Sequence, residues 1–488
     1  MWSIAKQRGA GSSALFVRVA GAIAEDIRRG ALQPGDRLPS TRALAAQFEV
    51  NRNTVVAAYD ELMAQGWVVA RGPGGTFVSG ELPERTVRRS PVAPRGMAAR
   101  PAFDVRAVSI ARGPFGPTEA TYHMSGGVPD TRMMSSAMLA RAYRRALRSR
   151  AGRSGLDYAE PYGVPRLRAA VAAMLRTSRG IPATADNIII TRGSQMALDL
   201  ATRLLVRPGE TVAVEELGYR PAWRAFEEAG GRLAPIALDG HGLVVESLPN
   251  PAPRCIYVTP HHQYPTTVLL SPARRLALMA RAYRDRIAIL EDDYDHEFHY
   301  EGRPVAPLAA SDVHGSVIYL GTLSKILAPG LRLGFVAAPA RVIEGLARLR
   351  TIADRQGDQI LEVAVAELIE EGELLRHARK MRRIYETRRD ALVTALARDL
   401  PAVSFVLPPG GITLWARVPD DLKLDEWRAR ALERGVAFTP AKDFALDGKS
   451  RPYIRLAYAR YTETELRDAI RRMRDALPRG RSSTKLAP

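Results

Sequence analysis

Lys325 stands in the run "YLGTLSKILAPGLRLGFVAAP", with Thr322 and Ser324 just before it and Arg332 seven positions beyond. A lysine amine forms a Schiff base with a carbonyl, and two hydroxyls with a guanidinium can hold an anion. Taken alone, the pattern equally fits a strand "VIYLGT", a turn and a strand "LGFVAA" with charges left on the surface. Other short apolar runs decide between the two. "NIIIT" is followed by Gly193, Ser194 and Gln195, which open a helix whose first amides attract a phosphate. "TVAVEE" leads to Tyr219, "CIYVTP" to "HHQYPTT" with Tyr264, and "IAIL" to "EDDYDHEF" with Asp292 and Tyr294. In open α/β sheets ligands gather beyond the carboxyl ends of the strands, so these residues are expected to converge. A phosphate nest, aromatic rings, a carboxylate and a lysine are what pyridoxal 5'-phosphate needs: an amine for its aldehyde, an acid for its pyridine nitrogen, and amides, hydroxyls and Arg332 for its phosphate.

The elements that position them alternate helix and strand from about residue 121 to 478. "PRLRAAVAAMLRTSRG" and "GSQMALDLATRLLV" read as helices, and the β runs are short and apolar, as in a buried mixed or parallel sheet. Beyond about residue 345 long helices and two strands, "GGITLWARV" and "YIRLAYA", predict a smaller α+β lobe.

Residues 10–80 read as a separate unit. "ALFVRVAGAIAEDIRRG" places Leu15, Phe16, Val19, Ile23 and Ile27 on one helix face. Ser40 is placed to cap a second helix, "TRALAAQF", and Asn51 a third, "RNTVVAAYDELMAQG". "WVVAR" and "TFVS", joined by "GPGG", form a hairpin. Three helices and a hairpin make a winged helix-turn-helix, in which Ser40, Arg42, Arg52, Asn53 and Thr54 stand where DNA is contacted. Residues 81–120 are rich in Pro and Arg and read as a linker; residues 479–488 read as a disordered tail.

Two resemblances follow. "GDRLPSTRALAAQFEVNRNTVVAAYDELMAQGWVVARGPGGTFV" resembles the DNA-binding domain of GntR-type bacterial regulators. "YAEPYGVPRLRAAVA", "TRGSQMALDL", "EDDYDHEF", "SKILAPGLRLG" and "YIRLAYA" resemble fold-type I aminotransferases. In this order the two resemble the MocR-type regulators. The resemblance implies a multidomain chain, a winged helix-turn-helix plus an α/β fold-type I aminotransferase-like domain, that binds a double-stranded DNA operator as a homodimer. It implies a Schiff base on Lys325, Asp292 at the pyridine nitrogen with Asp293 as the alternative, Tyr294 on the ring's phenolic oxygen, Tyr219 stacked on the ring, and Arg455 on an effector carboxylate. The implied effector is an amine, an amino acid or the cofactor itself. Aminotransferases usually carry "NPTG" where this chain has "YPTT", so Tyr264 takes an asparagine's place and efficient transamination is not expected. A true aminotransferase carrying a DNA-binding domain is the competing reading. Loss of the cofactor, leaving a dimerisation module, is the third, and intact Lys325, Asp292 and Arg332 argue against it.

Composition fits these readings. The 488 residues carry 71 basic and 52 acidic side chains, a net charge of +19 that favours anionic partners. No apolar run is long enough for a membrane span or a secretory signal, and Cys255 is the single cysteine, as in a cytoplasmic protein. His296 and His299 among the acids of "EDDYDHEFHY" raise metal binding, but no cysteine supports it and the other histidines are scattered, so no metal is expected. His261 and His262 read as loop hydrogen-bonders.

Overall fold

The computed structural model describes residues 15–83, 101–105, 120–302 and 304–478. Most of the expected linker and all of the expected tail lie outside them. Two compact units, Met1–Ser109 and Ile110–Pro488, account for the chain.

In the first unit, helices α1 (Leu15–Arg28), α2 (Thr41–Phe48) and α3 (Arg52–Ala64) precede a hairpin of β1 (Val68–Ala70) and β2 (Thr76–Val78). Ser40 Oγ accepts from Ala43 N at 3.2 Å, and Asn51 Oδ1 accepts from Asn53 N at 2.8 Å. Each cap satisfies an amide that the helix leaves unpaired and stabilises by about 1 kcal/mol. Tyr59 on α3 donates its hydroxyl to Pro39 O at 2.8 Å, tying α3 to the turn before α2. Val19, Ile23, Ile27, Leu44, Val55, Leu62 and Trp67 fill the core. Leu15 departs from the expected face: it lies in the first turn of α1 and is 47% exposed.

The second unit is built on a seven-stranded sheet of β3 (Ile188–Thr191), β4 (Thr211–Glu215), β5 (Arg232–Ile236), β6 (Cys255–Val258), β7 (Ala288–Asp293), β8 (Val317–Thr322) and β9 (Gly334–Ala337), in the spatial order β3-β9-β8-β7-β6-β4-β5. All neighbours pair parallel except β9, which is antiparallel to both β8 and β3. All but the edge strand β5 are buried on both faces, which explains their largely apolar character. Helices such as α4 (Pro165–Arg179), α5 (Ser194–Leu205) and α6 (Arg220–Glu228) cover the sheet. Beyond α7 (Glu373–Asp399) a smaller sheet of β10 (Ser404–Phe405), β11 (Thr413–Arg417), β12 (Thr439–Pro440) and β13 (Tyr453–Ala457), ordered β10-β11-β13-β12, packs with α7 and α8 (Glu463–Asp475). Two of its four strands were not expected, because at two residues each they are too short to show a period.

Gly321 in β8 lies opposite Phe335 of β9, whose ring covers the glycine. A Cβ there would stand 2.2 Å from the ring. Gly321→Ala is therefore expected to destabilise the protein by at least about 1–3 kcal/mol through overpacking, read as a lowered midpoint of thermal unfolding.

Candidate functional site

The carboxyl ends of β7 and β8 build the centre. Consecutive residues of a strand point to opposite faces, so Asp292 and Asp293 part company. Asp293 faces Tyr319, whose hydroxyl donates to its Oδ2 at 2.7 Å, and lies 3.0 Å from His296 Nδ1. Although burial works against ionisation, the charges of His296, His261 and Arg179 hold the Asp293 carboxyl well below the usual range. Asp292 faces the other way and, among the described residues, accepts only the Tyr257 hydroxyl, at 2.7 Å. Burial pushes Asp292 up to about 6 against the opposing pull of that hydrogen bond and of Lys325.

Lys325, three residues past β8 and half-buried, donates Nζ to Gly127 O at 2.5 Å. Burial first and then the Arg455 guanidinium lower its amine to about 8, with Asp295 and Asp292 pulling the other way. Arg455, on β13, is 1% exposed and is held by Ser125 O at 3.2 Å from Nη1 and by the face of Tyr264, 4.4 Å from Cζ to the ring centroid. Its Nε has no partner, and no carboxylate pairs with it among the described residues. A buried guanidinium costs stability unless its charge is met, and here backbone and aromatic contacts alone meet it among the described residues.

Aromatic rings wall this space. Tyr264 meets Tyr219 edge-on at 5.4 Å, Phe444 at 5.5 Å and Tyr294 at 6.0 Å. Tyr294 donates its hydroxyl to His262 O at 3.0 Å. "HHQYP" is anchored through Gln263, whose amide nitrogen donates to Glu215 Oε2, Leu217 O and Tyr264 O at 3.1, 2.8 and 2.7 Å.

At the start of α5, Gly193 caps the helix with φ of 78°, a left-handed conformation that favours glycine. Arg332 lies directly against it: a Cβ on Gly193 would stand 2.8 Å from Arg332 Nη2, which donates to Arg192 O at 3.0 Å. Ser194 opens α5, and Gln195 turns its amide to Pro221 O at 3.2 Å. Thr322 Oγ1 accepts from Ser324 N at 3.1 Å, which shapes the turn leading to Lys325. Ser125, Gly127, Tyr257, Asp295 and Phe444 belong to this neighbourhood without having been expected. The first two act through backbone carbonyls, which no side-chain pattern in the sequence marks. His261 corrects its reading as a loop hydrogen-bonder, since neither of its ring nitrogens has a partner among the described residues.

In the first unit Arg42, Arg52 and Asn53 are exposed and Thr54 is half-buried. Arg52 Nε reaches Thr41 Oγ1 at 3.5 Å, and the Ser40 hydroxyl is engaged in its cap. Arg37 and Arg71 add basic side chains at the hairpin: Arg71 lies over Phe77 at 5.1 Å, and the guanidinium of Arg37 packs against Gly75.

Residues 15–78 match the model of the bacterial regulatory proteins of the gntR family, and residues 125–473 match aminotransferase class I and II. The probable rhizopine catabolism regulatory protein MocR of Rhizobium meliloti is 34% identical over 458 residues, 92% of this chain and 91% of that protein. The chain belongs to the MocR-type GntR regulators. Its MocR-type architecture contains both parts, and the larger part also resembles enzymes. Aromatic-amino-acid aminotransferase 1 of Thermococcus litoralis is 31% identical over 74% of this chain and 88% of the enzyme. Among solved structures, LysN, the alpha-aminoadipate aminotransferase of Thermus thermophilus complexed with N-(5'-phosphopyridoxyl)-L-leucine, superposes with a TM-score of 0.68 and 29% identity over 74% of this chain and 92% of that one.

An amine lowered to about 8 is largely unprotonated at a pH where exposed lysines, near 10.4, are not. Acylation of Lys325 by a small amine-selective reagent is therefore expected to rise with pH and level off above about pH 8, while surface lysines keep gaining. Peptide mapping by mass spectrometry across the pH series checks it.

Proposed function

We propose that this MocR-type chain is a DNA-binding transcriptional regulator that holds pyridoxal phosphate on Lys325 and responds to an amino compound bearing a carboxylate, or to the cofactor itself. The observation that carries the reading is the unbalanced charge in the pocket. Asp292 is a buried carboxylate with no ion pair among the described residues and suits a protonated pyridine nitrogen, whereas Asp293 is already paired with His296. Arg332 and the amides opening α5, with Ser194, Thr322 and Ser324 nearby, suit the phosphate. Tyr219, Tyr264 and Tyr294 wall the ring, and Arg455 suits the carboxylate of an incoming amino acid. Bound there, the cofactor supplies an aldehyde that condenses reversibly with primary amines. The residues do the rest: burial and Arg455 keep the Lys325 amine poised to lose its proton, Gly127 O orients it, and the aromatic wall limits water.

Arg42, Arg52, Asn53 and Thr54 lead two helices of a GntR-type domain and are positioned for phosphates and base edges of an operator. A homodimer fits a palindromic operator. No helix among the described residues is long and apolar enough to cross a membrane, and a cytoplasmic site suits both ligands. The competing enzyme reading draws on the Thermococcus litoralis aminotransferase and the complete lysine, aspartate and arginine set. Tyr264 in place of the usual asparagine weighs against efficient turnover.

Borohydride reduction of the cofactor-bound protein is expected to fix the cofactor on Lys325 in peptide maps, and an adduct confined to another lysine would remove that assignment. For regulation, operator affinity should differ by roughly 5- to 150-fold among apo, cofactor-bound and amine-saturated protein at one salt concentration, the range of ordinary allosteric coupling. Equal affinities together with sustained amino transfer to 2-oxoglutarate would establish the enzyme instead.

A further inference from the structure

The loop after β6 and the segment after β7 bring histidines together away from the Lys325 amine. One ring nitrogen from each of His261, His262 and His299 lies within 4.8 Å of the others. His261, His262 and His299 are 3%, 1% and 7% exposed. Both ring nitrogens of His261, Nε2 of His262 and Nδ1 of His299 are buried without a hydrogen-bond partner among the described residues. Buried polar atoms are nearly always satisfied, so three facing rings that each offer an orphaned nitrogen point to a common partner. In its neutral form each ring has one nitrogen with a lone pair to donate, and His262, with Nδ1 against Asp295, has Nε2 free for it.

We propose that His261, His262 and His299 form a binding site for a zinc ion. Three imidazoles without a thiolate are a donor set that suits zinc, with one coordination position left for water or for His296, whose ring centroid is 4.7 Å from that of His261. Asp295 Oδ1 lies 2.8 Å from His262 Nδ1, the carboxylate–histidine arrangement that fixes a ligating ring and leaves Nε2 for the metal. Asp293 and Asp295 supply negative charge against the dication, with Arg275 the opposing cation. Space is provided by Gly410, where a Cβ would stand 2.8 Å from His262 Nε2. Zinc–nitrogen bonds of about 2.0–2.1 Å put the three nitrogens roughly 3.3 Å apart, so small ring rotations would close the present spacing. The ion would be structural. It would join the "HHQYP" loop to the segment after β7, where His299 bridges to Gly410, and its presence would be transmitted to the aromatic wall through His262 O, which accepts the Tyr294 hydroxyl.

The test uses untagged full-length protein, stripped by chelation and titrated with zinc sulfate in competition with a chromophoric chelator. One zinc per chain is expected. His261→Gln and His299→Gln should each weaken binding at least about tenfold, and Asp295→Asn about 10- to 100-fold, as for other partners of ligating histidines. His241→Gln, on an exposed histidine, should bind as the wild type does. A stripped wild type that takes up no stoichiometric zinc overturns the proposal, as does undiminished binding by both histidine variants. Should those variants fail to fold by circular dichroism, the cobalt-loaded wild type decides. A four- or five-coordinate nitrogen-ligated spectrum supports the site, and an octahedral aqua-like spectrum rejects it.

Discussion

Side chains leave a β-strand alternately to its two faces, and in Ala288–Asp293 that alternation sorts two neighbouring aspartates into different chemistries. One is absorbed by Tyr319 and His296 on its own face; the other waits beside Lys325. A slip of one residue in pairing would exchange them. The register is fixed from both sides, by Leu290 opposite Tyr257 on β6 and Ile318 on β8, all buried. The apolar sheet is thus the device that keeps one carboxylate uncommitted.

The pocket and the DNA-facing unit both present positive charge to anions, yet by different physics. Lys325 and Arg455 are held by backbone carbonyls of one short segment, Ser125 to Gly127, in surroundings where water screens little. Their geometry is thus set by the protein itself. Arg42 and Arg52 stand in solvent, where salt weakens each interaction and many contacts must act at once.

Much of this was legible in the sequence because local rules applied. Ser40 and Asn51 precede apolar helical periods and cap them, and the strand ends carrying Asp292, Thr322 and Tyr264 follow short apolar runs. Leu15 was misjudged because periodicity does not reveal where the core ends beneath a first turn. The histidine cluster escaped because its members come from two connections that meet only when β6 and β7 lie side by side. Arg455 showed its charge but not its isolation, which depends on Tyr264 and Ser125 arriving from distant segments. The contribution of Gly127 and Ser125 is a carbonyl oxygen, which every residue possesses and no sequence pattern marks.

The placement of β9 between β3 and β8 has a consequence for synthesis. Ile188 pairs with Ala337, and Thr191 with Gly334, so the large sheet remains open at β3 until the chain has been made beyond residue 337. Such distant pairings form slowly, and the first unit, whose core lies wholly within residues 16–82, needs none of them. Domains fold as they leave the ribosome, amino-terminal first. The first unit is therefore complete on the ribosome while Lys325 has yet to be translated, and each molecule passes through a period in which its two halves differ in age and only the first is folded.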